Sequence, residues 1–128
     1  MKHISFLFLC ILTLECFPQT SPKCDYQSID KQLNVVYNKI IVGYKADTLF
    51  IKRLKEAQRA WIIFRDAQIA ARYPILKNED SNVKYGSEYS DCTCNDLTEL
   101  TKQRINQLEM WLNGTEEGNV CSGSYKIK

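Results

Sequence analysis

Apolar residues recur at steps of three and four along three stretches of the chain, and strand-like alternation appears nowhere at length. Ile29, Leu33, Val36, Tyr37, Ile40, Ile41 and Tyr44 form the first series, which predicts a helix over about 26–43 with Gly43 at its end. Asp47 or Thr48 can cap a second helix, which runs to Arg72 and stops before Pro74. On it, Leu54, Ala57, Trp61, Phe64 and Gln68 share one face at 100° per residue, with Lys52, Lys55, Glu56, Arg59 and Asp66 opposite. Leu97, Leu100, Ile105, Leu108, Trp111 and Leu112 predict a third helix over about 96–112. Asp96 and Glu99 form a capping box at its start, and Gly114 ends it. The class expected is all-α: a small three-helix bundle, made of a long antiparallel hairpin and a third helix.

Two positions disturb the second helix. Gln58 and Arg65, seven apart, fall on its apolar side or margin. A buried Arg must be paired and hydrogen-bonded, or it costs several kcal/mol. Asp30, Asn34 and Asp47 before this helix and Glu109 on the third are the available partners, and Arg104 can join the same network. Between the second and third helices, Lys77 to Cys94 is polar and carries Tyr85 and Tyr89. Connections this long in a compact domain are functional or disordered, and cysteines at its end argue for order.

Length and cysteine content set the compartment. The 128 residues suit one domain. Lys2 and His3 precede an apolar run from Ile4 to Leu14, which has the length of a signal h-region and is too short for the ~20 residues of a bilayer span. A signal peptide over 1–20 is expected, then a domain over 21–128 with its core at about 24–112 and a tail over 113–128. Export places the chain in the periplasm or the medium, without a transmembrane segment. Acylation at Cys16 is the alternative, an envelope lipoprotein, but Glu15 stands where a small residue is needed.

Four cysteines remain after the leader: Cys24, Cys92, Cys94 and Cys121. An even number in a short exported chain reads as two disulfides. Zinc fits poorly, because Cys92 and Cys94 are closer than Cys-x-x-Cys and the one His is His3. If the third helix runs antiparallel to the second, Cys92 and Cys94 lie near Cys24. That helix is about 25 Å long, and an extended tail of ~25–30 Å reaches back to the same end. Cys24 is therefore expected to bond one of Cys92 and Cys94, and Cys121 the other.

Charge is split along the chain. Ser21 to Lys77 has 11 Lys/Arg against 5 Asp/Glu, and Asn78 to Cys121 has 3 against 9. The halves either neutralise each other in the fold or leave a face for a cationic partner. Catalysis is not expected: the mature chain has no His, no nucleophile with an activating base and no phosphate-binding glycine loop. No cofactor or metal is implied. Nucleic acid is not an expected partner, since the basic residues share their helix with acids and form no Gly/Arg-rich segment. Asn113-Gly114-Thr115 has the form of a glycosylation sequon.

The second helix then meets a family. Leu54, Ala57-Gln58-Arg59-Ala60-Trp61 and Phe64-Arg65-Asp66-Ala67 resemble the signature of the LprI-type lysozyme-inhibitor domain. Asp30, Leu33, Asn34 and Tyr37, the Tyr85-Gly86-Ser87 turn, and Leu100-Thr101, Arg104 and Leu108 resemble its flanking motifs. The likeness spans about residues 24–112. The family often carries a Cys just after this signature, and Gln68-Ile69-Ala70 has none, in keeping with a different pairing through Cys121. The resemblance implies an exported or envelope protein that blocks lysozyme, with no catalytic residue. It marks Leu54, Gln58, Arg59, Trp61, Phe64, Arg65, Asp66 and Arg104 as motif positions, for which a structural role is the simpler reading. A lysozyme partner is cationic, so the acidic stretch is the surface it points to: Glu79, Asp80, Glu88 and Asp91 with Asp96 and Glu99 behind them, Tyr85 and Tyr89 as anchors, and Lys84 as a plug for the cleft. The competing reading is an envelope module that binds another envelope protein or peptidoglycan and inhibits nothing.

Overall fold

A computed structural model describes residues 24–128, so the expected leader with Cys10 and Cys16 lies outside the described residues. Helix α1 spans Tyr26–Gly43, α2 Thr48–Arg72, α3 Ser81–Tyr85 and α4 Tyr89–Asn113. The caps follow the chemistry of short acids. Asp25 accepts from the Ser28 amide at 3.1 Å, and Asp47 accepts from the Phe50 amide at 2.9 Å. Among the described residues there is no strand, only an isolated bridge between Thr115 and Ile127. The helical class and the antiparallel course of α1 and α2 are as the periodicity predicts.

The core is small and belongs to α1 and α4. Leu33, Val36 and Ile40 of α1 meet Ile105 and Leu108 of α4, and α2 adds only Leu54 as a buried residue. These two helices form the closest pair and run parallel. Cys24 bonds Cys94 at one end. At the other, the Tyr44 hydroxyl donates to the Trp111 carbonyl at 3.0 Å. Tyr44, Phe50 and Trp111 pack there with tilted rings, and Tyr125 of the tail meets Trp111 edge-on. Helix α2 stands further off, on bulkier side chains.

That corrects the expected face of α2. Phe64 is 53% exposed, and Ala57 and Gln68 also face solvent. The inward stripe is Ile51, Leu54, Gln58, Trp61, Arg65 and Ile69, the last five at steps of four, three, four and four. Hydrophobicity misplaces the face because two of its central positions are polar. It is filled by side chains that are long and flat rather than apolar.

The third large helix begins earlier than its apolar series. Tyr89 starts α4, and Cys92 and Cys94 lie within it, not in a loop before it. Asp96 is no cap there; its carboxylate accepts from Arg72 at 2.6 Å and from the Tyr73 hydroxyl at 3.0 Å. The first turns of α4 face tyrosines and the disulfide instead of an aliphatic core, so they show no apolar period. The expected loop is further divided by α3, capped by Asp80.

Helix geometry also decides the cysteines. Cys24 pairs with Cys94, one of its two expected partners, while Cys92 and Cys121 are exposed free thiols and the expected bridge through Cys121 does not form. Two residues apart on a helix, Cys92 and Cys94 point about 200° apart, so only one can face α1. The tail does not return along α4. It folds into successive turns over 116–125 and pairs back at Thr115, whose amide donates to the Lys126 carbonyl at 2.8 Å. This holds Cys121 at the end of the bundle away from Cys92. Gly114 makes the reversal with φ 70°, and a Cβ there would meet the Lys126 carbonyl oxygen at 2.6 Å.

Candidate functional site

Two surfaces stand out, one built by the motif residues and one by the acidic connection. The first begins with Trp61. The Arg65 guanidinium lies 5.4 Å from its ring centroid and that of Arg104 lies 6.0 Å away. Cation–aromatic contacts of this kind gain strength where water is excluded. Arg65 is 15% exposed and donates to the Tyr26 hydroxyl at 2.7 Å and to Asp66 at 2.8 Å. Tyr26 in turn donates to Asp30 at 3.3 Å. Asp30 thus reaches Arg65 only through Tyr26, and the direct acid is its sequence neighbour. Asn34, Asp47 and Glu109 are not its partners: Asn34 bonds Asp30, and Asp47 caps α2. Burial pushes the Tyr26 hydroxyl above its ordinary pKa, against the pull of Arg65. Arg104 donates from Nε to Gln58 Oε1 at 3.0 Å and from Nη1 to Gln107 at 3.2 Å.

The motif therefore builds a polar layer between the helices. Leu54 belongs to the core below it, and Arg59 and Phe64 are exposed. Because this layer holds α1 and α2 apart, an open groove of about 630 Å³ runs between them, with Arg59 and Trp61 in its wall.

The second surface lies between α2 and α4. Tyr73, Tyr85 and Tyr89 form a triad, with ring centroids 5.5, 5.6 and 5.8 Å apart. Tyr85 also donates to the Pro74 carbonyl at 2.8 Å. Glu79 accepts from the Leu76 amide at 2.8 Å and from Lys84 at 2.7 Å. Asp80 accepts from the amides of Asn82 and Val83. Of the seven candidates in this stretch, Glu79, Asp80, Lys84, Tyr85 and Tyr89 hold the connection in shape. Glu88 and Asp91 form no ion pair among the described residues. In the same connection Leu76 is 71% and Val83 86% exposed. Nothing in the sequence marks these two, since single apolar residues in a polar stretch carry no period.

The Glu79 contacts make this connection sensitive to acid. The Leu76 amide and Lys84 hold the Glu79 carboxyl below its ordinary value of 4.5, and the same contact holds the Lys84 ammonium above its own. A depressed carboxyl contributes above its unfolded value and loses that contribution as pH falls through the folded one. The Leu76 amide resonance is expected to titrate with a midpoint below 4.5, and a midpoint at or above 4.5 contradicts the contact.

Residues 23–108 match the family model described as Lysozyme inhibitor LprI. The chain belongs to the LprI family. The match takes in α1 to α3 and most of α4, and leaves out the tail that closes the far end of the LprI domain. Searches of curated proteins and of solved structures return no match. The family description is of an inhibitor and not of an enzyme, and it implies a protein partner such as lysozyme. No helix of this LprI-family chain is long and apolar enough, among the described residues, to cross a membrane.

Proposed function

We propose that this LprI-family chain is an exported protein that binds a cationic lysozyme and blocks its cleft with the connection between α2 and α4. The observation that carries this reading is the prebuilt acidic knob. Its shape is fixed by the tyrosine triad and the Glu79–Lys84 pair, so little ordering entropy is lost on binding. Leu76 and Val83 supply an apolar centre, and Glu88 and Asp91 supply steering charge at its edge. The tyrosines act as the frame of the knob, and Leu76 and Val83 take the anchoring role.

Purified chain lacking the leader should slow lysis of bacterial walls by lysozyme at micromolar concentration. Glu88→Lys with Asp91→Lys should weaken that inhibition about tenfold and flatten its salt dependence, as loss of edge charges slows encounter. Leu76→Ala with Val83→Ala should weaken it without changing the salt dependence. Unchanged inhibition in both variants would place the contact elsewhere.

A further inference from the structure

The groove between α1 and α2 has two unlike walls. On the α2 side, Lys55 and Arg59 line both this groove and an adjoining concavity of about 360 Å³, which also takes in Lys52. The three cations follow one another at steps of three and four, where like charges on a helix repel. Among the described residues none of them forms an ion pair. Glu56, the acid beside them, is already paired with Arg53 at 2.8 Å. The α1 side carries no cation. It offers Asp30, Asn34 and the Tyr37 hydroxyl. Arg59 stands close enough to Tyr37 to pull against the rise that burial causes in its pKa. Between the walls, the Gln58 amide oxygen accepts from Arg104, and its NH2 group has no hydrogen-bond partner among the described residues. The Trp61 indole N–H has no hydrogen-bond partner among the described residues and is not sealed from solvent.

We propose that this groove binds a sugar chain bearing carboxylates. Lys55 and Arg59 would take the carboxylates, with the guanidinium able to engage one in two parallel bonds. The Gln58 and Trp61 donors suit carbonyl and hydroxyl oxygens. Asp30 and Asn34 accept from sugar hydroxyls, and the flat face of Tyr37 covers ring C–H groups. The asymmetry selects the ligand class. A chain of phosphates would lie against Asp30, and a neutral sugar would leave the cations unused. A cationic lysozyme is repelled by the same wall, so this site is separate from the knob proposed above.

The test is an NMR titration of the disulfide-intact chain lacking its leader. The probes are an alternating N-acetylglucosamine and N-acetylmuramic acid tetrasaccharide, neutral chitotetraose, polyphosphate and a Glu-rich peptide. The acidic tetrasaccharide is expected to shift the Trp61 indole N–H and leave that of Trp111, which donates to Ser124, in place. Lys55→Gln with Arg59→Gln should weaken binding at least tenfold with unchanged helix content, since both side chains are exposed. Glu88→Lys with Asp91→Lys should leave it unaffected, which separates this site from the inhibitory surface. The proposal is overturned if Trp61 does not respond, if chitotetraose binds as tightly, if polyphosphate or the peptide binds more tightly, or if the Lys55/Arg59 variant keeps full affinity.

Discussion

Replacing Cys24 and Cys94 together by serine is expected to lower the unfolding free energy by about 4 kcal/mol and the melting temperature by about 20 °C. The bridge spans 70 residues, and closing a chain of that length restricts the unfolded ensemble strongly. The folded side of the balance is weak enough for this to matter, because only six apolar residues are buried among the described residues. Without the bridge, α1 is still tied to α4 by Tyr44 at its C-terminal end, but its first turn is held mainly by Tyr26 and Ile29. Urea unfolding of the double variant checks this. A loss below about 1 kcal/mol would show that helix packing alone sets the stability.

Leu108→Ala should cost about 3 kcal/mol, and Phe64→Ala less than about 0.5 kcal/mol. Leu108 is fully buried where α1, α2 and α4 meet, so truncation leaves a cavity that rigid neighbours cannot fill. Phe64 is more than half exposed, and its removal takes little area out of contact. The Phe64 change reads the phase of α2, and Leu108, on α4, sets the scale of a buried site. If Phe64→Ala were the costlier change, the face predicted from apolar spacing would be the buried one.

The contrast between these two residues also marks what periodicity can read. Helix α1 was legible because its buried positions, Leu33, Val36 and Ile40, are all aliphatic. Helix α2 was legible in extent, set by Asp47 and Pro74, but not in phase, because Gln58 and Arg65 occupy inward positions and the outer side carries Ile63 and Phe64. The start of α4 was hidden for a related reason: its first two turns pack on Tyr73 and a cystine, neither of which calls for an aliphatic repeat. Asp96 and Glu99 imitate a helix start by spacing alone, and only the position of Arg72 shows that Asp96 serves another helix. The free state of Cys121 was beyond reach, since it depends on where Gly114 turns the tail. At the acidic connection the charged residues were visible, but which of them are spent on its own shape was not. Glu79 and Lys84 are five apart in sequence, a spacing that signals nothing until α3 is in place.

The parallel pairing of α1 with α4 has a consequence for the order in which the molecule forms. The principal partner of the first helix is made last, after α2 and the whole acidic connection have left the ribosome. A nascent chain that ends before Ile105 has Leu33, Val36 and Ile40 with only Leu54 and the half-buried Phe50 and Trp61 to meet, so the core cannot close on the first four fifths of the sequence. For a helical protein the contacts that count are therefore distant in sequence, and folding should be slower than in a bundle whose neighbouring helices pack in succession.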